Sequence, residues 1–146
     1  MLDQTMNHEI DNDAALAEAL QQYERAVELQ LQNQPEQAAA LYEKVLERFP
    51  LHHGASHNLA MLYLAKGSGE AALELAINAL EVQPGEAQYW VSLMEVLMHL
   101  GQREHAEALI EQARQAGHGD TVLTRLRSTL HPTLDVAERE ALVASQ

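Results

Sequence analysis

The sequence predicts an all-α protein, a right-handed α-solenoid of antiparallel helix pairs with about seven to eight helices. Three observations carry this prediction. Residues that favour helices, chiefly alanine, leucine, glutamate and glutamine, are abundant, whereas aromatic residues make up only 4% of the 146 residues. Turn-forming residues recur at a constant interval along the chain. The apolar residues between these turns follow helical periodicity.

The repeat is marked by residues that tolerate a turn or end a helix. Asn33, Gly67 and Gly101 are separated by thirty-four positions each time, and each lies five positions before an alanine. Pro50 and Pro84 have the same separation, and each ends an apolar run. Because asparagine and glycine tolerate the left-handed conformation that ends a helix, each of the first three positions predicts a turn between two helices.

The period predicts three helix pairs, each made of a helix A followed by a helix B. Their helices cover roughly residues 14–32 and 35–48, 53–66 and 70–82, and 87–100 and 103–116. Pro35 suits the first turn of a helix, because the nitrogen there needs no partner within the helix. Gly117 and Gly119 then interrupt the chain after the third pair.

The chain ends are predicted to lie outside the repeats. Residues 1–13 are expected to form an acidic flexible segment, and a repeat domain follows over residues 14–130. Its repeats cover 14–50, 53–84 and 87–118, and a capping helix covers 120–130, with Val122, Leu123, Leu126 and Leu130 at helical spacing. Residues 131–146 are expected to form a short helix or linker after Pro132. Its apolar stripe would consist of Leu134, Ala137, Ala141 and Leu142.

The three pairs share residue types at matching positions. The first pair has Gln22, Arg25, Ala26, Leu29, Ala38, Tyr42, Val45 and Pro50. The second has Ser56, Leu59, Ala60, Tyr63, Ala72, Ala76, Ala79 and Pro84. The third has Trp90, Leu93, Met94, Leu97, Ala106, Ile110 and Ala113. This pattern resembles the tetratricopeptide repeat over residues 14–118. It departs from that motif at Arg25 (for leucine), Met94 (for a small residue) and His118 (for proline).

The resemblance implies a concave groove, lined by the A helices, that holds a peptide segment or helix of a partner protein. It assigns to this groove Tyr23, Val27, His57, Asn58, Met61, Val91, Ser92, Glu95, Met98, His99 and Arg125. Asn58 would bind a backbone amide of the partner. One subclass of the family grips a C-terminal carboxylate with lysines, arginines and asparagines, and of these only Asn58 is present. The sequence therefore disfavours the carboxylate clamp of heat-shock co-chaperones.

Composition limits the partners. The net charge of −13 disfavours nucleic acid and anionic membrane surfaces, whose charge is also negative, and favours a neutral or basic protein partner. There are no cysteines, no apolar run long enough to span a membrane and no signal peptide, so the expected location is cytoplasmic. The oligomeric state is left open.

No catalytic motif, cofactor or metal site is predicted. The acidic residues recur at helical spacing, which is typical of solvated faces. His52, His53 and His57 are close in sequence, but a zinc site needs further ligands, and no acidic residue lies between Glu47 and Glu70. We therefore expect a turn for the first two histidines and the groove for His57.

The predicted function is that of a non-catalytic protein-interaction module or scaffold. Two alternatives stay open at this point. The repeats also resemble those that precede bacterial protein glycosyltransferases, sulfotransferases and peptide hydroxylases, which implies a substrate-recruiting domain of a larger enzyme. A bacterial secretion chaperone with three repeats would have a similar length.

Overall fold

The computed structural model describes residues 4–131 and 136–145, and within them the chain forms eight α-helices and no β-strand. They are α1 (Gln4–Leu31), α2 (Pro35–Arg48), α3 (His53–Ala65), α4 (Gly69–Val82), α5 (Ala87–His99), α6 (Arg103–Gln115), α7 (Asp120–Leu130) and α8 (Val136–Ala144). The predicted all-α class is confirmed. The ends of α2 to α7 lie within one residue of the predicted limits.

The three turns that mark the period have the predicted left-handed backbone. Asn33, Gly67 and Gly101 have φ values of 59°, 82° and 70°. In the second of these turns, the backbone N–H of Ser68 donates to the carbonyl of Tyr63 at 2.9 Å. This bond closes the helix end in the manner of a Schellman motif, which requires the left-handed residue.

The start of α1 differs from the prediction. The segment expected to be flexible over residues 1–13 is helical from Gln4, ten residues before the expected start. Residues 1–31 contain neither glycine nor proline, so nothing in the sequence ends a helix that extends toward the N-terminus. The acidic, polar composition of this stretch was a poor guide, because a solvated helix can have the same composition as a flexible acidic segment.

The helices divide into two compact units, Met1–Gln83 and Pro84–Gln146. This division is finer than the single repeat domain predicted for residues 14–130, whose limits stay a prediction. In the first unit, α1 packs against α2, α2 against α3, and α3 against α4. Its core combines small and large side chains, among them Ala19, Ala26, Leu29, Ala38, Tyr42, Val45, Ala55, Leu59 and Leu62.

In the second unit, α5 packs against α6 and α7, and α6 packs against α7. Met94 is fully buried, so the larger residue at this small-residue position fills the interior of the unit. α7 covers the range of the predicted capping helix, and three of its four apolar residues, Leu123, Leu126 and Leu130, are buried.

His118 occupies the place where the other repeats have proline. Its Nε2 lies 2.8 Å from the carbonyl oxygen of Pro84, and the indole N–H of Trp90 donates to the same oxygen at 2.7 Å. Because a carbonyl can only accept, the Nε2–H of His118 must donate. The His118 and Trp90 rings also meet at 5.6 Å with edge-to-face geometry. The histidine thus links the end of α6 to the proline that lies one full repeat earlier in the chain.

α8 lies within residues 131–146, for which a short helix or linker is predicted. Of its predicted apolar stripe, Ala141 and Leu142 are exposed. Leu134 lies outside the described residues, as does the side chain of Ala137. Within residues 4–131 and 136–145, no helix combines the length and apolar character needed to cross a bilayer.

Candidate functional site

Three of the predicted groove residues share one face of α3. His57, Asn58 and Met61 are half-buried and lie at positions i, i+1 and i+4 of the helix. The apolar residues on the other side of α3, including Leu59, are buried in the core of the first unit. This face of α3 therefore combines polar and apolar side chains that are partly accessible.

Tyr23 of α1 is hydrogen-bonded to this face of α3, and Val27 lies one turn further along α1. Both are half-buried and are four residues apart on α1. The side-chain amide of Asn58 donates to the Tyr23 hydroxyl at 3.4 Å and to the Tyr42 hydroxyl at 3.2 Å. The structure thus brings one predicted site residue of α1, Tyr23, into contact with one of α3, Asn58.

Asn58 belongs to a hydrogen-bond network that continues into the interior. Tyr42 is fully buried, and its hydroxyl donates to Oε1 of Gln30 at 2.5 Å. Burial raises the pKa of Tyr42, so the phenol remains neutral and can donate. Oδ1 of Asn58 is 3.2 Å from Nδ1 of His57. Since the amide N–H groups of Asn58 already donate to two tyrosines, a partner's backbone would compete with these bonds for Asn58.

Gly54 and His52 position the Tyr23 ring. The ring centroid of Tyr23 lies 4.7 Å from that of His52 and 5.8 Å from that of Tyr42. A Cβ atom at Gly54 would lie only 2.8 Å from the Tyr23 hydroxyl oxygen, so the absence of a side chain there makes room for the ring. Tyr23 therefore depends on Gly54 for its place against α3.

His52 caps the start of α3. Its Nδ1 accepts a hydrogen bond from the backbone N–H of Ala55 at 3.1 Å. Burial lowers the pKa of His52, which favours the neutral ring that can accept this bond. A metal bound at Nδ1 would have to displace the cap. Within the part of the chain that the structure describes, no three His, Cys, Asp or Glu side chains are grouped to hold a metal ion.

The predicted site residues of the second unit differ in how much of their surface is exposed. Glu95 and His99 of α5 are exposed and Met98 is half-buried. Val91 and Ser92 are buried, with 5% and 0% of their surface exposed. These two side chains therefore offer almost no surface to a partner, and we expect their role to be packing.

Arg125 of α7 contacts α5 in the second unit. Its guanidinium donates to Oε1 of Gln88 at 3.2 Å, and the amide of Gln88 donates to the Ser92 hydroxyl at 3.3 Å. Arg125 remains exposed. The second unit thus offers an exposed cation beside α5, together with the carboxylate of Glu95.

The exposed leucines of α1 were not among the predicted site residues. Leu16 and Leu20 have 57% and 55% of their surface exposed. At helical spacing they lie on the same side of α1 as Tyr23 and Val27, about a quarter-turn from the buried stripe that includes Ala26. We call the row formed by Leu16, Leu20, Tyr23 and Val27 the α1 seam. The helical periodicity of α1 contained this signal, because its apolar residues occupy two adjacent faces.

A depression of about 400 Å³ lies between α1 and α2. The residues that line it are Ala15, Glu18, Ala19, Gln22, Lys44, Glu47 and Arg48. Its two acidic and two basic side chains give it no dominant charge with which to select a ligand, and it contains none of the predicted site residues.

Comparison with known proteins identifies the repeats. A family model described as tetratricopeptide repeat matches residues 17–94. No curated protein gives a significant match. Among solved structures, the chain is similar to the Sgt2 TPR domain from Aspergillus fumigatus, with 22% identity, a TM-score of 0.67 and coverage of 84% of this chain and 82% of that one.

Two further similar structures are TPR domains with bound peptides. The second TPR domain of human RPAP3, solved with an HSP70 peptide, is 17% identical with a TM-score of 0.68, over 79% of this chain and 97% of that one. The first TPR domain of Spaghetti (RPAP3), solved with an HSP90 peptide, is 17% identical with a TM-score of 0.66, over 78% and 91% of the two chains. At these identities the likeness concerns the fold, and it agrees with the predicted α-solenoid.

Proposed function

Because the chain belongs to the tetratricopeptide repeat family, we propose that it is a non-catalytic interaction module that binds a peptide segment or helix of a partner protein. The binding surface in the first unit consists of Tyr23 and Val27 from α1 with His57, Asn58 and Met61 from α3. The observation that carries the proposal is the joining of these two helices through Asn58, which bonds to Tyr23 at the surface and to a buried tyrosine in the interior.

The properties of this face suit a polypeptide. Val27 and Met61 supply apolar contacts, and methionine adapts to irregular partner surfaces. Tyr23 and His57 add groups that form hydrogen bonds. A mixture of half-buried apolar and polar groups can contact both the side chains and the backbone of a bound peptide segment or helix. In the second unit, the predicted site residues that stay exposed or half-buried are Glu95, Met98, His99 and Arg125.

The electrostatics favour a neutral or basic partner. The peptides bound by the two RPAP3 domains, SGPTIEEVD and SRMEEVD, contain adjacent glutamates. This chain carries a net charge of −13, and the predicted surface of its first unit contains no lysine or arginine. An acidic peptide would therefore be repelled. We propose that the partner of this chain differs in charge from the heat-shock peptides that those domains bind.

A selection from a displayed library of random short peptides tests the proposal. Peptides enriched on the immobilised chain would be synthesised, and their affinity measured for the wild type and for Met61→Glu. We expect the substitution to weaken binding by at least tenfold, because it places a charge within the apolar part of the surface. The enriched peptides should be poor in aspartate and glutamate.

Ile77→Glu provides the matched control. Ile77 lies on α4, is 37% exposed and belongs to no predicted surface. This variant should therefore bind the peptides as the wild type does. Equal losses in both variants, or no enrichment of any peptide, would contradict the proposal. Far-UV circular dichroism would establish that both variants retain their helices.

A further inference from the structure

The α1 seam has the spacing of a helix-packing surface. Leu16, Leu20, Tyr23 and Val27 are separated by four, three and four residues, which is the a/d pattern of a heptad repeat. At about 1.5 Å per residue, the seam extends for about 17 Å along α1. Two of its four side chains are more than half exposed. α1 thus has a second apolar row, in which Leu16 and Leu20 are exposed while Tyr23 and Val27 are half-buried against the core of the first unit.

This spacing favours a helix as the occupant. Side chains at alternating three- and four-residue intervals form holes that receive the side chains of a second helix crossing at a shallow angle. An extended peptide presents its side chains at intervals of two residues and would match such a row poorly. Leu31, which is 83% exposed and lies one turn beyond Val27, would widen the contact at the C-terminal end of the seam.

The charge along the seam favours a basic occupant. Glu9 and Asp13 continue the same four- and three-residue spacing toward the N-terminus, and both are exposed. Residues 4–31 contain six acidic residues, one arginine and no lysine. That arginine, Arg25, already pairs with Glu28 at 3.1 Å.

The same charges argue against a second copy of this chain. Two copies joined in parallel through their α1 seams would bring their Glu9 and Asp13 side chains together, and any such dimer would join two chains of net charge −13. Like charges held close across an interface destabilise it. A partner whose cations face Glu9, Asp13 and Glu24 would instead gain from their proximity.

We infer that the α1 seam binds an amphipathic basic helix. The helix has leucine-type residues at a/d spacing over about two heptads and lysine or arginine on its flanks. Further basic residues lie at the end that meets Glu9 and Asp13. The inference rests on the proposed function, since it specifies the partner of the α1 part of that surface.

Designed peptides test the inference. The probe is a fluorescent peptide of about 21 residues with leucine at a and d and lysine at e and g. One comparison peptide replaces the lysines with glutamate, and another carries a central proline that interrupts the helix. We expect the wild-type chain to bind the basic helical peptide at least tenfold more tightly than either comparison peptide, as measured by fluorescence anisotropy. Binding should weaken as salt rises.

Variants locate the binding. Leu16→Gln with Leu20→Gln should lower the affinity at least tenfold. Leu51→Gln with Leu142→Gln is the control, because these leucines are 74% and 45% exposed and lie outside the seam. Asp13→Lys should weaken binding of the basic peptide and strengthen that of the acidic one. All substituted positions are exposed, and circular dichroism would verify that the helices remain.

The outcomes separate this inference from the proposed function. If peptides selected from the random library bind in a manner that depends on Met61 but the basic helical peptide does not bind, the inference is wrong and the proposed function stands. Sedimentation velocity tests whether a second copy of this chain occupies the α1 seam instead. A wild-type dimer that becomes monomeric on Leu16→Gln with Leu20→Gln would assign the seam to a second copy and overturn the inference. A monomeric wild type that binds the basic helix supports it.

Discussion

Substituting Gly54 with alanine should destabilise the protein, although alanine ordinarily stabilises a helix. Gly54 lies in the first turn of α3. A glycine-to-alanine change within a helix usually contributes about 0.5–1 kcal/mol of stability. Here, the added Cβ would lie 2.8 Å from the Tyr23 hydroxyl and 3.1 Å from its Cζ. We expect the Tyr23 ring to move away from α3.

The magnitude follows from the contacts of Tyr23. Displacing the ring breaks its hydrogen bond with Asn58, worth about 0.5–1.5 kcal/mol. It also disrupts the ring contact with His52, worth about 0.5–1.5 kcal/mol. Subtracting the gain in helix propensity leaves a net loss of about 1 kcal/mol. In a Tyr23→Ala background these contacts are already absent, so Gly54→Ala should then stabilise by about 0.5 kcal/mol.

A double-mutant cycle measures this difference. The wild type, both single variants and the double variant would be unfolded in urea and followed by far-UV circular dichroism. We expect a coupling energy of about 1.5 kcal/mol between the two positions, within the range for residues in contact. If Gly54→Ala stabilises the wild type as much as it stabilises Tyr23→Ala, the glycine does not position Tyr23, and this part of the site's geometry is wrong.

Three further predictions follow from other contacts. Burial lowers the pKa of His52 below its usual 6.5. The stabilisation that the neutral His52 ring gives the folded state should therefore be complete above about pH 6.5 and should decline as the pH falls toward the lowered pKa. His52→Asn should keep the cap of α3, and its urea midpoint should fall less than that of the wild type between about pH 7 and pH 5. The hydrogen bond from Tyr63 to Glu43 raises the pKa of Tyr63 to about 12, so Glu43→Gln should shift that titration toward its ordinary value in ultraviolet difference spectra taken against Tyr63→Phe. Met94→Ala should destabilise the second unit by about 2–5 kcal/mol through the cavity it creates, measured by the fluorescence of Trp90, the only tryptophan in the sequence.

The repeat architecture could be predicted because local residues determine it. Asn33, Gly67 and Gly101 sit where the backbone needs a positive φ, and few other residues adopt that conformation at low cost. The start of α1 has no glycine or proline that marks a helix end, so its position could not be predicted as accurately. The predicted N-terminal end of α1 was wrong because composition distinguishes a solvated helix poorly from a flexible acidic segment.

The site could be predicted only in part. The assignment of Tyr23, Val27, His57, Asn58 and Met61 to one surface rests on the family resemblance. The contacts between them depend on how α1, α2 and α3 pack, since the bonds of Asn58 reach partners that are 35 and 16 residues away in sequence. Helical periodicity places a residue on a face, but it does not give the distance to a face of another helix.

His118 illustrates a departure that the sequence revealed but did not explain. Proline is common after a helix because it cannot continue one, and a histidine at that position first suggests a degenerate terminal repeat. In the structure, His118 restrains the chain through a hydrogen bond, because its Nε2–H donates to the carbonyl of Pro84, which also accepts from Trp90. A side-chain hydrogen bond to a residue one repeat earlier here takes the place of the backbone restriction that proline imposes. No local sequence pattern predicts that the carbonyl of Pro84 is its acceptor.

The hydrogen bonds that the Asn58 side chain already makes limit the bonds that it could form with a partner. Its bond to the buried Tyr42 is the shorter of the two that it donates, and Tyr42 is held in turn by Gln30. A partner's carbonyl could therefore replace only the bond to Tyr23, and it would have to do so without moving Tyr42. This exchange yields little net binding energy, because one hydrogen bond replaces another. Under the proposed function, affinity in this unit would therefore come mainly from burying apolar surface and from charge, and the α1 seam with its acidic residues would supply both.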